Sequence, residues 1–166
     1  MKRIVVDSSV CVNWFMQSGG KRNRTYAMDL LDQVHARQIH VVQPAIWRAH
    51  VAGLLLHKRG ADPHAIVDSL LAIESRDQSS SAVLHLGTDV ALKFRAELFD
   101  ALYHALAIDK GIELITVNAD YVERAGHLGH IRLLSDWAAR SRIAERDGDH
   151  PHKRRAATPH KRQKKH

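Results

Sequence analysis

Cysteine is nearly missing from this chain: Cys11 stands alone in 166 residues. A single thiol cannot close an intrachain disulfide, and it cannot build a thiolate zinc cage. A reducing, cytoplasmic setting is therefore expected. Long apolar runs are also lacking. None reaches the length that spans a bilayer, and Asp7 interrupts the first run, Ile4-Val5-Val6, before it can serve as a secretory signal. There is no Gly-x-Ser-x-Gly elbow, so a serine hydrolase is a poor reading of Ser8 and Ser9. Gly19-Gly20 has no phosphate-loop pattern around it and reads as a hinge. Asp7 does not open an Asp-x-Asp motif, since Ser9 stands two residues after it, and no matching lysine block supports a phosphoryl-accepting aspartate; no internal repeat is present.

Acids are missing from the end of the chain. From His150 onward there are seven basic residues, Lys153, Arg154, Arg155, Lys161, Arg162, Lys164 and Lys165, and no Asp or Glu. Of the 25 Lys and Arg, these seven account for the whole net charge of +7, which leaves the preceding residues balanced against 18 acids. The high pI therefore implies no basic groove on the folded body. The division expected is a domain over residues 1–143 and a basic, disordered segment over 144–166. That segment either adds salt-sensitive attraction to nucleic acid or is a solubilising or vector-derived addition.

The remaining pattern alternates strands with helices. Residues 3–7 read as a buried strand, and a helix follows from Ser8 or Ser9, either of which can cap it, to about Met16. Tyr26, Leu30, Leu31 and Val34 recur at helical spacing. A second strand covers Ile39 to Val42, and Pro44 opens a helix carrying Trp47, Val51 and Leu55. Asp62-Pro63 starts another helix, Arg76 to Ser81 reads as a loop, and Val83 to Leu86 as a short strand. Helices are predicted over Val90 to Glu97 and Leu98 to Lys110, ended by Gly111. Ile112 to Val117 and Ile131 to Leu134 read as strands, and a last helix runs from Asp136 to about Ile143. This order predicts an α/β fold, a three-layer α/β/α sandwich with a mostly parallel central sheet.

Chemistry concentrates in three acids. Asp7 ends the first strand and is followed by Ser8-Ser9; Asp100 sits in Leu98-Phe99-Asp100-Ala101-Leu102-Tyr103; Asp120 follows the strand at Ile112 to Val117. Carboxylates from distant segments that meet at one sheet edge can form a divalent-metal site. Four blocks in consistent order, Val5-Val6-Asp7-Ser8-Ser9-Val10, Pro44-Ala45-Ile46-Trp47, Phe99-Asp100-Ala101-Leu102-Tyr103 and Leu114-Ile115-Thr116-Val117-Asn118-Ala119-Asp120-Tyr121, cover roughly residues 3–135. Together they resemble the PIN domain, and within it the VapC-type toxins of bacterial toxin–antitoxin pairs.

The resemblance implies metal-dependent hydrolysis of RNA phosphodiesters, a protein antitoxin as partner, and a homodimer. It makes Asp7, Asp100 and Asp120 the catalytic and metal-binding acids, with Mg²⁺ or Mn²⁺ as the ion. Ser9 and Thr116 would orient ligands or waters around it. Two positions depart from the family pattern: His50 stands where a glutamate is usual, and Asn118 where an aspartate is usual. Loss of two charges weakens Mg²⁺ binding, while imidazole nitrogen favours Mn²⁺ or, less, Zn²⁺. His104, four residues beyond Asp100, is a further candidate ligand by helical spacing. Two functions thus compete: a ribonuclease toxin, or a degenerate scaffold of the same fold that binds protein or RNA without cutting. His127-Leu128-Gly129-His130 reads as a turn with surface histidines, and Trp14 and Trp47 as core.

Overall fold

The short apolar runs become the inner strands of one parallel sheet. The computed structural model describes residues 2–16, 20–56 and 62–148, without side chains beyond residue 141. The basic residues from Lys153 to Lys165 lie outside the described residues. The sheet contains β1 (Lys2–Val6), β2 (Ile39–Pro44), β3 (Ser75–Gln78), β4 (Glu113–Thr116) and β5 (Ile131–Leu133), in the order β3-β2-β1-β4-β5. All neighbours run parallel. Successive strand residues point to opposite faces, yet Ile4, Val5 and Val6 are all fully buried. Both faces of the centre are therefore covered, as a three-layer α/β/α sandwich requires.

The helices are α1 (Ser8–Phe15), α2 (Lys21–His35), α3 (Trp47–Leu55), α4 (Pro63–Ala72), α5 (Ser81–Phe94), α6 (Leu98–Lys110), α7 (Ala119–Ala125) and α8 (Leu134–Gly148). Helix α6 is the central one. Every residue from Ala101 to Ala107 is buried, because α6 lies across β1, β2 and β4 and is itself covered by α5 and α7. Close approach of α5 needs Gly87: a Cβ there would stand 2.7 Å from Leu102 Cδ2. Gly111 ends α6 in the left-handed region, φ 62°, with its N–H donating to the carbonyls of Ala107 and Ile108. On the other side of the sheet, α2 packs against β2 and α8, and α8 against β4 and β5.

Three local expectations are corrected. The stretch from Arg76, read as a loop, belongs to edge strand β3. An edge strand needs backbone pairing from one neighbour only, so its side chains can be polar. Here Ser75 and Asp77 are held by Arg48, which reaches Asp77 Oδ2 at 2.5 Å and donates to the carbonyls of Leu70 and Ile73 at 3.1 Å each. The segment Val83–Leu86, read as a strand, is the first part of α5. Ser80 starts that helix, its Oγ accepting from the Val83 N–H at 3.2 Å. Finally, α8 continues to Gly148 instead of ending near residue 143.

Candidate active site at the carboxyl edge of the sheet

Strand order reverses at β1, where β2 is the neighbour on one side and β4 on the other. The crevice outside the carboxyl ends of the strands at such a reversal is the usual ligand position of an open parallel sheet. Asp7 leaves β1 there and Thr116 ends β4. Helix α6 runs into β4 from the same edge, so its first turn, carrying Asp100, lies at that edge too.

Asp7 occupies the N-cap position of α1 but makes no side-chain cap bond. Its carboxylate is instead held by hydroxyls. Ser9 Oγ donates to Asp7 Oδ2 at 2.5 Å, and Thr116 Oγ1 donates to the same oxygen at 2.7 Å. The expectation that Ser8 or Ser9 caps α1 is thus replaced by one in which both serines serve carboxylates, since Ser8 Oγ donates to Asp100 Oδ1 at 3.4 Å. The backbone is equally constrained. Asp7 N–H donates to the Ile115 carbonyl at 2.9 Å, and the Val6 peptide groups are held by the side chain of Gln43 on β2.

Burial outweighs the hydrogen bonds that the two acids accept. Burial pushes the Asp7 carboxyl up, against the opposing pull of its Ser9 and Thr116 hydrogen bonds. Asp100 is pushed up to about 6, chiefly by burial and next by the charge on Asp7. Among the described residues, neither carboxylate forms an ion pair with Lys, Arg or His. Two acids raised by burial, Asp100 also by the charge on Asp7, and fixed by hydroxyl donors match the donor set of Mg²⁺ or Mn²⁺, which takes one or two carboxylates and fills its shell with water and substrate phosphate oxygens. No group of three or more His, Cys, Asp or Glu among the described residues forms a fuller metal cage.

His50 stands at the margin of this pair. It lies on α3, which leaves the sheet edge after β2, and Asp7 acts on it electrostatically. Burial outweighs that attraction and holds its imidazole below the ordinary range, so it is neutral near pH 7. Its Nδ1 is 3.4 Å from the Tyr103 hydroxyl, and its ring packs on Phe99 at 5.1 Å between centroids. Ser8, read from the sequence as a helix cap, and Tyr103, given no role there beyond its place in the Phe99–Tyr103 block, are therefore part of the site's surroundings. Their signal was their place beside Asp100 and Asp7.

Three expected residues go elsewhere. His104 is corrected from ligand to core: Nε2 is 2.8 Å from the Gly129 carbonyl and Nδ1 3.0 Å from the Tyr121 hydroxyl. A carbonyl only accepts, so Nε2 carries the proton and Nδ1 accepts from Tyr121, which leaves no lone pair for a metal. Asn118 Oδ1 accepts from the Tyr121 N–H at 3.0 Å and caps α7. Asp120 is exposed on the first turn of α7, outside the hydrogen-bond net around Asp7. The structure thus brings together Asp7, Asp100, Ser9 and Thr116, with His50 beside them.

No model of a known protein family matches the chain, and no match emerges among curated proteins.

Proposed function

We propose that the chain is a PIN-like, VapC-type endoribonuclease in which Asp7 and Asp100 bind Mg²⁺ or Mn²⁺ and RNA is the substrate. The observation that carries this reading is the pairing of buried Asp7 with half-buried Asp100 at the strand-order reversal, aimed by Ser9, Thr116 and Ser8, with the charge on Asp7 raising Asp100. A bound divalent ion supplies Lewis acidity for the phosphodiester and lowers the pKa of a water. The chain's own contribution is orientation. Ser9 and Thr116 occupy one oxygen of Asp7 and hold it in place, and the Ser8–Asp100 bond ties the α6 carboxylate to the same edge. Neutral His50, beside Asp7, can accept a proton from a water at the site.

As a toxin the protein would work in the cytoplasm, held by an antitoxin protein, and as a homodimer. No helix among the described residues is long and apolar enough to cross a membrane. Purified protein should cleave structured RNA with added Mn²⁺, and chelator or Asp7→Asn should abolish cleavage. Cleavage that persists in Asp7→Asn would sink the proposal.

One observation favours a second reading, a scaffold that binds RNA or protein without cutting. With His50 neutral, Asn118 spent as a cap and Asp120 exposed, the pair has no third acid, His or Cys grouped with it among the described residues. Calorimetry separates the two. Micromolar Mn²⁺ binding lost in Asp100→Asn supports a working metal site, and its absence supports the scaffold.

A further inference from the structure

A second feature lies at the other end of the same sheet. Arg3, near the start of β1, is in register with His40 on β2, and Arg76 on β3 is in register with Val42 on β2. In-register neighbours share a face, and His40 and Val42 share one by their two-residue spacing, so Arg3, His40 and Arg76 stand on one face, Arg76 two residues further along the strands than the Arg3–His40 pair. Arg37, in the turn after α2, lines the same groove. These groups line a groove of about 660 Å³ whose floor includes the buried side chains of Val34 and Val42.

The charges in this groove are not spent on the fold. Arg37 pairs with Glu74 at 3.5 Å, and both are highly exposed. Glu74 is the acid among the lining residues. Among the described residues the side chains of Arg3, His40 and Arg76 make no hydrogen bond or ion pair, although they line one groove. A fold gains nothing from gathering unpaired guanidinium groups, whereas a phosphate ligand meets them with bidentate hydrogen bonds. The volume lies in the range of small-molecule sites, roughly 300–1,000 Å³, and the apolar floor suits a planar or aliphatic body beside the phosphate.

We infer that this groove binds a small phosphorylated ligand of the nucleoside mono- or diphosphate class. The phosphates sit against Arg3 and Arg76, and the base or sugar lies over Val34 and Val42. The site is separate from the acid pair: Arg3 precedes Asp7 by about 13 Å of strand. It is independent of whether the acid pair cleaves RNA.

Calorimetry on the full chain, in chelator, tests it with ADP, AMP, pyrophosphate, adenosine and a short single-stranded RNA. Saturable ADP binding is expected, weakened about tenfold by Arg3→Ala and by Arg76→Ala, each the loss of one charged hydrogen-bonding partner. Adenosine and pyrophosphate should each bind more weakly than ADP, and Asp7→Asn should change nothing. Both arginines are exposed, so circular dichroism should show the variants folded. No saturable ADP binding at millimolar ligand overturns the inference. So does ADP affinity unchanged in both arginine variants, which would locate the nucleotide elsewhere, the basic residues 153–165 included. RNA bound through Arg3 and Arg76 without competition from ADP would also overturn it, in favour of a nucleic-acid groove.

Discussion

The side-chain amide of Gln43 makes both hydrogen bonds that the Val6 backbone directs toward β2: Val6 N–H donates to Gln43 Oε1 at 3.1 Å, and Gln43 Nε2 donates to the Val6 carbonyl at 2.8 Å. The β1–β2 ladder ends at Ile4 and Val41, so Gln43, fully buried, continues it with a side chain. The strand end that launches Asp7 is held in this way. Gln43→Met keeps length but leaves a buried N–H and C=O without partners, a loss of about 2–4 kcal/mol. Urea unfolding at unchanged m value measures it. A loss under about 0.5 kcal/mol would mean that Val6 finds other partners.

Asp100 predicts an unusual pH dependence. Its folded value is about 6, raised by burial and then by Asp7, against about 3.9 for a free carboxyl in the unfolded chain. The folded state therefore holds the proton more tightly. This contribution favours folding below the unfolded value and is lost as pH rises through about 6. In chelator at pH 7.5, Asp100→Asn should melt about 2–4 °C higher than the parent, a small gain because solvent reaches part of the group. The difference should close by pH 4. A variant that melts lower at pH 7.5 would show the carboxylate to be already compensated, and the case for a cation at the pair would fall with it.

Much of this was legible in the residues because strand centres and strand ends speak plainly. Ile4 to Val6 and Ile115 are buried on both sides, so their apolar runs are continuous, and the polar residues that follow them, Asp7 and Thr116, fall at the edge where a ligand sits. Edge strand β3 was illegible because Ser-Arg-Asp-Gln carries no apolar pattern; its Ser75 and Asp77 side chains answer to Arg48, not to the core. The start of α5 misled because Val83 and Leu86 sit in a short run with no long polar face. His104 misled for another reason. Helical spacing does put it on the Asp100 face, but one turn deeper, where it is fully buried and both ring nitrogens are taken by Tyr121 and Gly129.

His104 itself yields a discriminating substitution. His104→Phe fills the space but strands the Tyr121 hydroxyl and the Gly129 carbonyl, at about 2–4 kcal/mol. Burial holds the His104 imidazole below the ordinary 6.5, so the unfolded chain takes up a proton that the fold refuses. The stability this contributes is present above 6.5 and fades as pH falls; Phe removes that part of the slope. The rise in Tm on adding Mn²⁺ should be the same in parent and variant. Its disappearance in His104→Phe would return this histidine to the ligand set.

The two departures from the acidic pattern can be reversed together. His50 is close enough to Asp7 to feel its charge, and Asn118 caps α7 through an oxygen that aspartate also offers. His50→Glu with Asn118→Asp therefore adds negative charge at the edge without removing the cap. In chelator the added carboxylate raises Asp7 and Asp100 further, because like charges disfavour ionisation, and the double variant should melt below the parent at pH 7.5. Mn²⁺ should more than restore it, with affinity tightened roughly tenfold by the extra hard donors. RNA cleavage that appears only in the double variant would mean that the parent pair binds without cutting. Cleavage already present in the parent and merely faster in the variant would mean that neutral His50 suffices. A variant that is less stable in chelator yet gains nothing from Mn²⁺ would show that α3 does not face the cation, and the metal site would then rest on Asp7 and Asp100 alone.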